Sequence, residues 1–392
     1  MDPSPRIVIL LARFPVWSEV FLYRELQAMA RADPRIRVVA LRSTGEPPPP
    51  GATIEGIETL ESSAGPESGT EGPPRPALFR FPALATWASL VRNREVGKRL
   101  AQYCRDHDVR HLHAEFCDLP LLLARRAARR HRMSFSVGAH ARDVFCCKYR
   151  LRGLLAPAEF ATVCNSAVRD ELLERAGLPA ECLHLIHHGL NLEDWPFRER
   201  PARCRPVHLL WAGRLVPKKG VDLLLDALAQ LRHRQWCLRV VGDGPERTHC
   251  RARARERRIA DRISWEKPQA PHEIRHAMAE ADALVLPARV APDGDRDGIP
   301  NVALEAMASG LPVVATTTGG LRDVVAESTG WPANSATAAD VATALETFFA
   351  ASDEEVRTRA GDARSQIETH FDIRQTVQAR IDLFDTHLRN AV

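Results

Sequence analysis

A chain of 392 residues with 45% hydrophobic and 27% charged side chains is long enough for two domains that each bury a core, and its composition is that of a globular protein. Its net charge of +4 is small for this length and gives no case for a nucleic-acid partner. No apolar run approaches the roughly 20 residues needed to span a bilayer, and the nine cysteines are odd in number, scattered and without a C-x-x-C pair. They predict reduced thiols in a cytoplasmic protein and argue against a zinc site.

Residues 6–12 are a short run of Ile, Val and Leu that reads as a buried parallel first strand rather than as a cleaved leader. Ser18 then precedes a helical pattern carrying Val20, Phe21, Leu26 and Met29. A strand, a loop and a helix N-terminus in that order is where open α/β sheets place ligands, although capping alone also explains Ser18. A second strand over 36–41 leads into a segment, about 45–77, that is rich in Pro, Gly, Ser and Glu and reads as a mobile surface insertion.

Strand and helix patterns alternate from there: strand at 111–116, helix at 119–132, strand at 135–139 and strand at 160–165. The arginines late in the first of these helices read as a solvated face. His140 and Asp143 follow the strand at 135–139, where a lone histidine is either structural or part of a site. The pair His187-His188 suggests a metal, but no carboxylate or cysteine stands at ligand spacing beside it. Residues 195–206, with prolines and alternating charges, read as a linker.

Beyond it, a strand at 207–212 is followed by Gly213-Arg214-Leu215-Val216-Pro217-Lys218-Lys219-Gly220 and a helix at 221–231. This is the order in which a doubly wound sheet holds a diphosphate: Arg214 offers a fork and Lys219 a compact charge, where each base alone would be surface charge. A strand at 237–241 ends in a turn containing Gly242 and Gly244, and the arginines of the next helix read as solvated. After short strands at 263–265 and 283–287 comes the stretch 293–320, DGDRDGIPNVALEAMASGLPVVATTTGG. Its helix is bounded by Pro300 and Gly310, with Asp297 at the mouth and Glu305 about two turns in, on the same side. Two carboxylates so placed accept hydrogen bonds from sugar hydroxyls; the plain alternative is an N-cap and a solvated helix residue. A further helix containing Asp323 follows the Gly-Gly pair, and apolar steps of three and four over 371–392 predict a last helix.

These segments together resemble the family 4 glycosyltransferases, retaining enzymes of the GT-B fold. Asp297 to Glu305 resembles the family's acid, seven residues, acid motif, with Asp where the family usually has Glu, one methylene shorter. Gly213-Arg214-Leu215, a four-residue gap and Gly220 resemble the phosphate segment, with Lys219 at the family's lysine. The turn through Gly244, the His140-x-x-Asp143 segment, and Phe14, Pro15, Ser18 and Glu19 are similar to the family as well.

The resemblance implies an α/β chain of two Rossmann-like, doubly wound parallel-sheet domains facing a cleft: 1–198 for the acceptor, 206–370 for the nucleotide sugar, and a helix at 371–392 crossing back to the first. It implies a hexosyl transfer from a nucleotide-diphosphate sugar to a glycan or lipid-linked acceptor in bacterial surface or exopolysaccharide assembly, with the enzyme in the cytoplasm or at the inner face of the membrane. His140, Arg214, Lys219 and Asp297 would be catalytic. Gly213, Gly244, Gly298, Ile299, Pro300, Asn301 and Glu305 would bind the donor, and Ser18, Glu19 and Asp143 the acceptor; apart from the resemblance, the position of the insertion at 45–77 suggests a lid over the acceptor. No cofactor and no metal are expected, because Arg214 and Lys219 neutralise the leaving diphosphate and the pairs Asp106/Asp108 and Asp293/Asp295 read as solvated. An epimerase of the same fold, or a non-catalytic relative that only binds a nucleotide sugar, are the alternative readings.

Overall fold

The computed structural model describes residues 7–16, 19–45, 57–61, 82–147, 149–203 and 205–389. Ser18 and most of the 45–77 segment lie outside them. The chain divides into two compact units, 1–189 with 374–392, and 190–373.

The first unit is a seven-stranded parallel sheet of β1 (Ile7–Phe14), β2 (Ile36–Ser43), β3 (Ile57–Thr59), β4 (His111–Glu115), β5 (Ser134–Ala139), β6 (Ala161–Val163) and β7 (Leu183–Leu185), in the order β3-β2-β1-β4-β5-β6-β7. Residues 7–11 of β1 are all buried, because a central strand covered by helices on both faces has no polar side. β3 falls inside the segment expected to be without order. Ile57, Glu58 and Thr59 pair with Val38, Val39 and Ala40, and Leu60 packs on the core. An edge strand needs only its neighbour's backbone and one apolar anchor, a signal too short to outweigh the surrounding composition.

The final helix, Ile373–Arg389, belongs to the first unit from Arg374 onward. Phe384 meets the rings of His113 and Phe160 at centroid distances of 5.3 and 5.7 Å.

The second unit is a six-stranded parallel sheet of β8 (Val207–Ala212), β9 (Trp236–Val241), β10 (Ile263–Glu266), β11 (Ala283–Leu286), β12 (Val313–Thr316) and β13 (Trp331–Ala333), in the order β10-β9-β8-β11-β12-β13. The period of two along β8 sorts its side chains: Leu209 and Trp211 enter one core cluster, Leu210 and Ala212 the other. In both sheets the strand order reverses beside the first strand, at β1/β4 and at β8/β11, and ligands of open α/β sheets bind outside the carboxyl ends of such switch points.

One boundary and one element differ from the expected ones. Residues 190–198 were expected with the first domain, but Leu190, Leu192 and Trp195 pack with Met307 and Phe371 of the second unit. Leu190 donates to Phe371 O at 2.7 Å and accepts from Ile373 N at 3.1 Å, so backbone pairing ties the two ends of the second unit together. The expected helix after Gly319-Gly320 is a 3-10 turn, Gly319–Asp323, because Leu321, Val324 and Val325 all turn into the core within five residues. Among the described residues no helix is long and apolar enough to cross a membrane.

Candidate functional site

In the second unit the loops after β8, β9, β11 and β12 pack on one another at the switch point. Leu215 donates to Asp243 O at 2.8 Å and Glu246 donates to Leu215 O at 3.1 Å, which ties the β8 loop to the β9 turn. A Cβ on Gly244 would stand 2.3 Å from Leu215 O, so only glycine admits that approach. Gly319, at φ +63°, has the carbonyl oxygen of Asp297 where its Cβ would be, at 2.1 Å.

Within this frame Lys219 Nζ lies 2.8 Å from Asp297 Oδ2, and Lys218 Nζ lies 3.4 Å from Asp297 Oδ1 and 3.1 Å from Asp295 Oδ2. Arg289 braces the lysines from behind, donating to Pro217 O at 2.9 Å and to Asp222 Oδ2 at 3.0 Å. Asp295 therefore is not the solvated residue that the Asp293/Asp295 pair suggested. It is 7% exposed, because the loop folds back through Asp295 N to Asp293 Oδ1 at 3.1 Å and turns it onto Lys218. Arg214 and Lys267 point out and are exposed, and Gly213 is half-buried beside Arg214.

The helix of the acid motif runs Asn301–Ala308, and Pro300 is its cap residue with no side-chain cap bond. Asp297 is thus not an N-cap: it sits in the loop, 8% exposed, with its charge on the lysines. Glu305 is half-buried one turn into the helix rather than two, since the helix begins only after Pro300. Gly298 and Ile299 lie against Gly320, and Ile299 and Val302 pack on the core below.

In the first unit the ends of four strands and two helices close around a buried polar cluster. Glu115 ends β4, His140 follows β5, Cys164 follows β6 and His188 follows β7. Glu25 comes from the helix Val20–Ala32, and Arg380 from the helix Ile373–Arg389. His140 Nε2 is 2.9 Å from Glu115 Oε1, and its Nδ1 is 3.2 Å from His188 Nε2. His188 Nδ1 is in turn 2.8 Å from Glu25 Oε2. Arg380 bridges the two carboxylates at 3.0 Å to Glu115 and 3.4 Å to Glu25.

Burial alone would raise both carboxyls, but Arg380 and the histidines outweigh it and hold Glu25 and Glu115 below the usual range. Burial lowers imidazoles, yet the Glu25 charge and the bond to Cys164 bring His188 up to about 9. Bonds to Cys164 and Glu115 raise His140 likewise. Burial would raise the Cys164 thiol, and hydrogen bonds from His140 and His188 bring it down to about 5.

Glu19 is half-buried and accepts from Tyr23 Oη at 3.2 Å; burial raises its carboxyl, against the nearby His140. Asp143 is employed differently from the expectation of an acceptor ligand. Its two oxygens accept the backbone amides of His140, at 2.8 Å, and of Cys117, so it ties two strand ends together, and burial pushes its carboxyl up to about 6.

Of the site candidates legible in the sequence, His140 and Glu19 lie at this cluster, whereas Glu25, Glu115, Cys164 and Arg380 were not among them. Glu115 left a trace as a charged end to an apolar strand, but Arg380 left none. The absence of a cysteine at ligand spacing from His188 is overturned by the sheet order, which sets β6 beside β7 and Cys164 beside His188.

Two nucleotide-binding-type parallel sheets in one chain define the GT-B class. The sequence profile of the glycosyl transferases group 1 matches residues 206–350, and that of glycosyltransferase family 4 matches 18–194. The chain belongs to the family 4, group 1 glycosyltransferases.

It is 29% identical over 204 residues to the putative colanic acid biosynthesis glycosyltransferase WcaL of Escherichia coli, a match spanning 51% of this chain and only 50% of that protein. It is 28% identical over 350 residues to a glycogen synthase of Mycobacterium tuberculosis, covering 84% of this chain and 80% of that one. The solved structure of Anabaena Alr3699/HepE in complex with UDP and glucose shares its fold, with a TM-score of 0.72 at 18% identity over 97% of this chain and 99% of the other.

Proposed function

We propose that the protein is a retaining hexosyltransferase that moves a sugar from a nucleoside diphosphate to a glycan or lipid-linked acceptor in cell-surface polysaccharide assembly. What carries this reading is the second unit's switch point, where exposed Arg214, the paired Lys219 and the N-terminus of the helix Asn301–Ala308, which has no side-chain cap bond, all belong to the loops after β8 and β11. A diphosphate there meets a guanidinium fork, a compact ammonium and helix amides, and so needs no metal to leave. Glu305 accepts from the ribose hydroxyls, while Asp297, with Gly298 to Asn301, receives the sugar and the phosphate. Diphosphate entry competes with Asp297 for Lys219.

Transfer breaks the bond between the anomeric carbon and the phosphate oxygen on the face where the acceptor oxygen bonds to that carbon. The acceptor's proton passes to the departing phosphate oxygen. Retention follows because both events share one face. In the first unit His140 meets a sugar hydroxyl by exchanging its Nδ1 contact with His188 for it, while Glu115 keeps the ring oriented through Nε2. The acceptor sits by Glu19. Relatives point the same way: WcaL is named for colanic acid biosynthesis, and HepE was crystallised with UDP and glucose.

The test is thermal stabilisation by UDP, GDP, ADP and CDP, each with and without a chelator, since a ligand at a hundred times its Kd adds about 2.7 kcal/mol. One diphosphate that stabilises regardless of chelator supports the reading and names the base. No shift with any of them would overturn it.

A further inference from the structure

The polar cluster of the first unit contains an arrangement that sugar transfer does not require. His140, Cys164 and His188 bring one ligand atom each, two imidazole nitrogens and a thiol sulfur, within 4.8 Å of one another. The facing nitrogens, Nδ1 of His140 and Nε2 of His188, are 3.2 Å apart. Two nitrogens bound to tetrahedral zinc at about 2.0–2.1 Å are separated by about 3.3 Å. The pair already stands at that distance.

The nitrogens that face away are held just as firmly. His140 Nε2 rests on Glu115 at 2.9 Å and His188 Nδ1 on Glu25 at 2.8 Å. A buried carboxylate behind each histidine fixes the tautomer and turns the other nitrogen inward, which is the outer shell that metal-ligating histidines carry. Charge also fits a dication. Once a cation displaces the protons that the carboxylates and Cys164 favour on the two imidazoles, the two carboxylates and a thiolate oppose only Arg380, and the difference is two negative charges. The His140 and His188 side chains keep 12% and 16% exposure, while Glu25 and Glu115 are sealed.

We infer that His140, Cys164 and His188 form a binding site for a zinc-class divalent cation, with an open fourth position and with Glu25 and Glu115 as its supporting carboxylates. The mixed nitrogen and sulfur donor set selects borderline-soft ions over magnesium or calcium. A bound ion takes the Nδ1 that the transfer reading needs, so, resting on that reading, occupancy inhibits transfer rather than supporting it.

The experiment uses the full chain, reduced and metal-free, titrated with Co2+ as the optical probe. One equivalent should bring a thiolate-to-cobalt charge-transfer band together with the intense visible bands of tetrahedral cobalt. Cys164→Ser and Cys164→Ala should both lose the charge-transfer band, and Glu25→Gln should weaken binding by about 10- to 100-fold. X-ray absorption on the zinc-loaded wild-type chain, which depends on no variant folding, should show one sulfur at about 2.3 Å and nitrogens at about 2.0–2.1 Å.

A band that persists without Cys164, or a zinc shell of two or more sulfurs, would mean that surface cysteines hold the metal, and either overturns the proposal. No band in the wild-type chain would leave a hydrogen-bonded triad only. The spectrum reports on the first unit alone, so its failure is distinct from a failed diphosphate shift, which reports on the second.

Discussion

The guanidinium Nη2 of Arg380 lies 3.0 Å from Oε2 of Glu115, 265 residues earlier in the chain. Its Nη1 also reaches Glu25 at 3.4 Å, and all three side chains are buried. Removing the cation leaves two buried carboxylates with only their histidine partners in a medium that solvates them poorly. Arg380→Ala should therefore cost about 3–5 kcal/mol, seen as a lower urea midpoint at unchanged slope. A loss below about 1 kcal/mol would place this arginine among exposed ion pairs instead.

The buried histidine at the start of β4 sets an acid limit. His111 holds Ser134 Oγ at 2.8 Å and Ser136 Oγ at 2.7 Å, and burial pushes its pKa from 6.5 down to about 3. Between those two values the unfolded chain binds a proton that the folded chain refuses. The contribution of His111 is thus complete above pH 6.5 and declines as pH falls through that window towards 3, by up to about 1.4 kcal/mol per pH unit. His111→Gln keeps hydrogen-bonding groups but does not titrate, so its stability should fall less steeply there. Parallel profiles in chemical denaturation would refute this.

Arg214 and Lys219 should separate activity from stability. Arg214 is exposed, so Arg214→Ala should leave stability within about 0.5 kcal/mol while lowering turnover by about 10²- to 10³-fold through a poorer leaving group. Lys219→Ala also strips a 2.8 Å partner from Asp297, and it should lower both turnover and melting temperature. His140→Ala should reduce transfer more than diphosphate binding. If donor binding alone fell, His140 would be a positioning residue.

Gly319→Ala forces a methyl to 2.1 Å from the carbonyl oxygen of Asp297 at φ +63°, a clash with backbone that no rotamer relieves. The expected cost is about 1–3 kcal/mol, together with loss of the diphosphate-induced shift, because the acid-motif loop moves. A variant that still shows the full shift would mean that the loop binds without this contact.

Contacts between near neighbours in the chain were legible in the order of residues alone. Apolar runs marked β1, β8 and β11, and Pro300 and Gly310 bracketed the acid-motif helix. The Gly213–Gly220 loop carried the expectation of a phosphate site in its own spacing, since a strand, a glycine-flanked basic loop and a helix need only local geometry. The start of that helix misled only because Pro300 caps it from an extended conformation, φ −65° and ψ 127°, and so brought Glu305 a turn nearer to the mouth.

The tertiary structure alone decided which distant groups meet. Cys164 and His188 stand 24 positions apart and become neighbours because β6 and β7 pair in parallel. Arg380 enters from a helix whose apolar pattern told which face it buries but not what that face would find. Helix and strand periods are written in steps of two to four residues, whereas the partner of a buried charge depends on sheet order. Desolvation makes that pairing obligatory once the strands are in place, and nothing in the local sequence records it.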